Sequence, residues 1–319
     1  MIEDQIYINI PFSNNESISF AIESCLNSDL YKGKVLQNQS YGLPSESLCL
    51  KMLNMNSIST EHIEILKKLS NLDFIIPIYH ISNSSNHYYI IYKYFPNTLE
   101  NYYKSSSFLS KSFNEKVEFS YYLLKQLLNI AFMINQKNLI YVNFHPRNIL
   151  IDFVKDHFKI YLIDFENSVD LSYPLSDSKL IHIFDISCSL YIHPSTFINN
   201  TIESNLDTYS ITCIIYKILY NVEFHCNQKI MNCFHNNNIR FIQDILKYDY
   251  KINYQTLNNL YLDGIEEFKS DNRNLNSLMK IVLSKFLDRT FNPSESILNI
   301  WESIDYLDKI PKCLPFFGY

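Results

Sequence analysis

Asn148 and Asp164 are the residues whose types and spacing could do chemistry. Asn148 closes the stretch Tyr141-Val142-Asn143-Phe144-His145-Pro146-Arg147-Asn148, and the apolar run Ile149-Leu150-Ile151 follows it. Asp164 closes a second run, Lys159-Ile160-Tyr161-Leu162-Ile163, and precedes Phe165-Glu166. Two short β runs joined by a polar turn form a hairpin that can set the carboxamide beside the carboxylate. Both are hard oxygen donors suited to Mg²⁺ carrying phosphates. The alternative is that Asn148 caps a turn and Asp164 caps the next element.

The elements that would position these residues are legible from punctuation. Residues 1–56 alternate in short runs with Asn/Ser turns and read as strands, among them Leu48-Cys49-Leu50-Lys51-Met52-Leu53. Residues 60–70 carry Ile63 and Leu66, and Ile65 and Leu69, at helical spacing. Residues 74–79 and 87–95 return to β-rich composition. Ser112-x-x-Glu115 is a capping-box signature opening an amphipathic helix with Val117, Tyr121, Leu124, Leu128 and Ala131 on one face. Further helices are expected at 207–220, 275–288 and 294–307. The expected class is α+β, with a strand-rich part at 1–96 carrying one helix and a mainly helical part at 97–319.

Composition excludes several functions. The chain has 319 residues, 47% of them apolar and 15% aromatic, enough for a sizeable core. Its formal net charge of −6 gives no bulk attraction for nucleic acid or an anionic membrane surface. The four glycines, Gly33, Gly42, Gly264 and Gly318, are too dispersed for a G-x-G-x-x-G loop or a P-loop. Seven scattered cysteines without a C-x-x-C pair argue against zinc and against a secreted disulfide framework. The opening MIEDQIYINIPF does not read as a signal peptide, and no run reaches the ~18 apolar residues of a membrane helix. An intracellular location, cytoplasmic or nuclear, is therefore expected.

With these residues set out, the chain resembles the protein kinase family. Tyr141–Asn148 resembles the catalytic loop H-R-D-L-x-x-x-N, and Asp164-Phe165-Glu166 the metal loop D-F-G. Leu48–Lys51 resembles V-A-I-K, and Tyr88–Phe95 the fifth strand entering the hinge, with Tyr92 at the gatekeeper position. Tyr191-x-His193-Pro194-Ser195, Asp207–Cys213 and Asp288–Pro293 resemble the three later landmarks, Y-x-A-P-E, D-x-W-S-x-G and D-P-x-x-R-P. The resemblance implies a two-lobed fold binding ATP and Mg²⁺. Lys51 would meet the phosphates, Tyr92, Lys93, Tyr94 and Phe95 would line the nucleotide site, and Asn148 and Asp164 would hold the metal. Structurally, Lys51 could instead be an edge-strand lysine reaching solvent.

The departures matter more than the matches. The catalytic aspartate falls on Asn143, whose amide cannot accept a hydroxyl's proton. His145 takes the place of a phosphate-contacting lysine, and H-P-x-N is similar to the small-molecule phosphotransferases; a turn role is the other reading. Glu23–Leu30 replaces the glycine loop, and its Glu23 and Asp29 should repel phosphates. The helix-C glutamate falls on His62, with Glu61 and Glu64 turned away by about 100° and 200°; Lys51 could pair with Asp164 instead. Glu166 replaces the D-F-G glycine and Val142 the H-R-D arginine, so Ser168, Ser172, Tyr173, Ser176 and Ser178 read as a polar surface loop. Ser195 and Asn292 replace both partners of a buried ion pair. The expectation is a pseudokinase that acts on a protein partner. The alternatives are a slow, atypical Ser/Thr protein kinase and a kinase-shaped module that binds no nucleotide.

Overall fold

The computed structural model describes residues 6–13, 16–36, 42–55, 60–155, 157–173, 191, 202 and 206–221. The expected helices at 275–288 and 294–307 lie outside these residues, as do His193–Ser195, Asp288–Pro293 with Asn292, Ser176 and Ser178. The chain divides into two compact units. Unit 1 is Met1–Asn97, Leu150–Asp152 and Tyr161–Glu166; unit 2 is Thr98–Ile149, Phe153–Ile160 and Asn167–Tyr319.

Unit 1 holds a six-stranded antiparallel sheet in the order β1-β2-β3-β4-β6-β5. Its strands are β1 (Tyr7–Ser13), β2 (Glu16–Asn27), β3 (Leu30–Val35), β4 (Leu48–Asn54), β5 (Ile78–Asn83) and β6 (His87–Lys93). The strand likened to a kinase's fifth is sixth here, because β1 adds one at the start. The strand expected at 74–79 begins only at Ile78. Pro77 cannot donate to a ladder, and Ile75 pairs instead with Leu162 in an isolated parallel bridge.

Strand alternation assigns the two faces. Leu50 lies opposite Ile91 and Met52 opposite Tyr89. This set packs with Ile10, Ile18, Phe20, Val35 and Leu48 in one apolar core. Cys49, opposite Tyr92, and Lys51, opposite Ile90, project to the other face. The two edge strands meet: the Phe12 and His80 rings stack at 4.6 Å, and His80 Nε2 lies 3.0 Å from Pro11 O. The sheet thus curls around its core and covers its own edges. Helix α1 (Thr60–Leu69) buries His62, Ile63, Ile65, Leu66 and Leu69.

The described residues of unit 2 are mainly helical. They form α2 (Leu99–Tyr103), α3 (Ser106–Leu109), α4 (Phe113–Asn135) and α5 (Leu206–Tyr220), with a short antiparallel pair of β7 (Leu139–Ile140) and β10 (Val169–Asp170). The α4 capping box forms as its sequence predicts. Glu115 N donates to Ser112 Oγ at 3.3 Å, and Ser112 N to Glu115 Oε2 at 2.9 Å. Helix α5 buries every residue except Lys217 and Tyr220, which makes it a core helix packed against α4. The hairpin of β8 (Ile149–Val154) and β9 (His157–Leu162) contributes residues to both units.

Candidate functional site

In unit 1 the site gathers around Lys51. Its Nζ donates to Asp164 Oδ1 at 2.9 Å and also to Glu166 Oε1. The lysine side chain is 17% exposed, so it is not an edge lysine in solvent. Burial alone would lower its pKa, but Asp164 and Glu166 outweigh that and hold the ammonium above its ordinary value. Burial pushes Asp164 up, yet the Lys51 charge and hydrogen bond, with help from His62, carry it below the usual carboxylate range. Burial and the neighbouring Asp164 charge leave Glu166 above that range. Residue order points to Asp164 as a partner of Lys51 and not to Glu166. The available signal was a second carboxylate two residues on from Asp164.

Helix α1 presents His62 to this cluster, 3% exposed, while Glu64 is exposed and Glu61 half-buried. Tyr92 shares the Lys51 face of the sheet, and burial holds its phenol well above the ordinary pKa. Beyond it, Lys93 N donates to Pro77 O at 3.0 Å and Tyr94 N to Ser47 O at 3.3 Å. Phe95 packs on the Tyr161 ring at 4.6 Å. Residues Glu23–Leu30 are the closing half of the β2–β3 hairpin, with register shifts at Ile22/Ser24 and Cys25/Asn27. Glu23 is not a bare charge. It pairs with Lys34 at 3.0 Å and Lys32 at 3.5 Å, and the Lys34 hydrogen bond lowers its pKa. The Asp29 charge acts on Glu166 and Tyr92, favouring the protonated form of each.

In unit 2 the loop 141–148 is held from within. Buried Asp207, at the start of α5, accepts from Tyr141 N at 2.9 Å and from Val142 N at 2.8 Å. Val142 has φ 65°, a costly setting for a β-branched residue, and the Asp207 carboxylate stabilises it. Burial pushes the Asp207 carboxyl up to about 7. Asn143 is 2% exposed, and its backbone oxygen accepts from Asn148 Nδ2 at 3.2 Å. That bond uses the Asn148 nitrogen, so its oxygen is the atom a cation would meet.

His145 is engaged in the loop's own geometry. Arg147 N donates to its Nδ1 at 3.1 Å, and its ring meets Tyr191 edge-on at 4.8 Å. Burial, then the Arg147 charge, pushes its pKa down to about 4, so the imidazole is neutral at pH 7. Glu100 pins the same loop by accepting from Arg147 Nε at 2.6 Å and from Lys104 Nζ at 2.7 Å. Ser168 is no surface residue. It is fully buried and donates to Tyr141 O at 3.3 Å, whereas Ser172 and Tyr173 are exposed.

The donor chemistry fits the groups the resemblance implies. In unit 1 Lys51 carries an ammonium of the kind that pairs with phosphate and Asp164 a hard oxygen of the kind Mg²⁺ takes; in unit 2 Asn148 carries an oxygen of the same kind. No helix among the described residues is long and apolar enough to cross a membrane. No curated protein matches the chain. The protein kinase domain family matches residues 43–298, a span that holds Lys51, the loop 141–148, Asp164 and Asp207. The chain therefore belongs to the protein kinase domain family, whose fold joins a β-rich lobe to a helical one.

Proposed function

We propose that the chain is a pseudokinase: a kinase fold impaired in phosphoryl transfer that retains Mg-ATP and acts on a protein partner as a scaffold or allosteric regulator. The observation that carries this reading is Asn143, which falls at the aspartate position when Tyr141–Asn148 is read as H-R-D-L-x-x-x-N. A carboxamide orients a hydroxyl without accepting its proton. General-base catalysis is worth about 10²–10⁴ in rate, or roughly 3–5 kcal/mol of barrier. Lys51, Asp164 and Asn148 occupy the nucleotide and metal positions of the family, with Tyr92, Lys93, Tyr94 and Phe95 at its hinge. Mg²⁺ would neutralise phosphate charge there; the chain's own part is to hold Lys51 and the two oxygens in place.

Thermal unfolding with increasing Mg-ATP tests the binding half. Saturable stabilisation of about 2.7 kcal/mol at a hundredfold excess over Kd is expected, lost in Asp164→Ala. Radiolabelled γ-phosphate transfer tests the other half. Transfer by the unaltered chain, abolished by Asp164→Ala, would overturn impairment and favour a slow Ser/Thr kinase, in which Asn143→Asp should raise the rate at least about tenfold. The Asp29 charge, which acts on Glu166 and Tyr92 beside Lys51, favours a second reading, an interaction module that takes no nucleotide. Absence of any Mg-ATP stabilisation would select it.

A further inference from the structure

The Lys51 cluster holds one carboxylate more than the family resemblance accounts for. Lys51 rises from the middle of β4, and its Nζ reaches two acceptors, Asp164 Oδ1 and Glu166 Oε1, within unit 1. From α1 the cluster receives His62, whose charge acts on Asp164 and which offers no carboxylate. We propose that Glu166 is the positioning residue of Lys51, so that the lysine's place is set by the segment 164–166 and not by α1.

An ammonium has three donors on a flexible four-carbon stem, so one acceptor leaves it several rotamers. Two acceptors on a single short segment remove that freedom. A cation drawing on Asp164 would compete with Lys51 for its oxygens, and Glu166 would remain as the acceptor that holds the ammonium. The placement has a further consequence. Helix α1 can shift without releasing the lysine, whereas any movement of 164–166 takes the lysine's anchor with it.

The consequence for nucleotide rests on the binding reading above, so the test has an arm that does not depend on it. Lysine ammonium groups are observed in the full chain by ¹⁵N-edited NMR, with the Lys51 signal identified by its loss in Lys51→Arg. A slowly exchanging Lys51 signal is expected in the unaltered protein. Hydrogen exchange should be roughly tenfold faster in Glu166→Ala and less so in Glu166→Gln, which keeps the shape should the alanine variant not fold. Adding His62→Glu to Glu166→Ala puts a carboxylate back on α1 and should restore slow exchange, a rescue that a merely structural Glu166 would not show. An unchanged Lys51 signal in both Glu166 variants, or a failed rescue, overturns the proposal. In the second arm, Mg-ATP affinity should weaken about tenfold in Glu166→Ala and recover with His62→Glu. If the unaltered chain does not bind Mg-ATP, the nucleotide reading fails, and the ammonium arm alone decides the role of Glu166.

Discussion

Asp207 shows how one buried carboxylate can organise a loop that it does not belong to. It accepts two backbone N–H groups, one of them from Val142 with its left-handed backbone. Asp207→Asn keeps the size but turns an NH₂ toward one of those donors. A cost of about 1–3 kcal/mol is expected for the unpaired group, measured by denaturant unfolding. The pH dependence has a definite sign. With its pKa raised from 3.8 to about 7, the folded chain binds more protons here than the unfolded chain does. This group's contribution to stability therefore falls as pH rises through that window, and Asp207→Asn should remove the slope. An identical slope in the variant would show that other groups cause it.

At the scale of elements, the β2–β3 hairpin is informative because it performs a turn without glycine and spends its one glycine elsewhere. Its turn is closed by Asn27, whose Oδ1 accepts from Asp29 N at 3.1 Å. Gly33 instead lies in β3 under the Phe20 ring, where a Cβ would stand 2.1 Å from Ala21 O and 2.6 Å from Phe20 Cε1. Gly33→Ala must therefore move backbone as well as a ring. A loss of about 1–3 kcal/mol is expected, read as a lowered denaturant midpoint. A Ser112→Ala change at the α4 cap supplies a scale for comparison, at about 1 kcal/mol.

At the scale of the whole chain, the packed core of unit 1 extends to residues that precede the family match. The match starts at residue 43, so β1, β2 and β3 precede it. Yet Ile10, Ile18, Phe20 and Val35 supply the unit 1 core under Leu48, Leu50 and Ile91. A chain started at residue 43 loses one wall of that core and leaves β4 as an open edge. Insolubility or loss of cooperative unfolding is expected, with size-exclusion chromatography and circular dichroism as the checks. A soluble, cooperatively folded product would show that the first three strands are dispensable.

The α1 helix, the α4 capping box and the buried α5 helix were legible in the residues alone, because each depends on the spacing of apolar side chains or on a local cap. Motif order also singled out Lys51, Asp164, Asn148 and Asn143 as candidate site residues. The β5 boundary was not legible, because Pro77 and the bridge to Leu162 override local β propensity. The burial of Ser168, the ion pairs of Glu23 and the capping of the 141–142 backbone by Asp207 were not legible either. Each joins residues through space, where sequence spacing carries no signal. Glu166 is the sharpest case: the chain order makes it a missing glycine, and only the fold makes it a partner of Lys51, more than a hundred residues away.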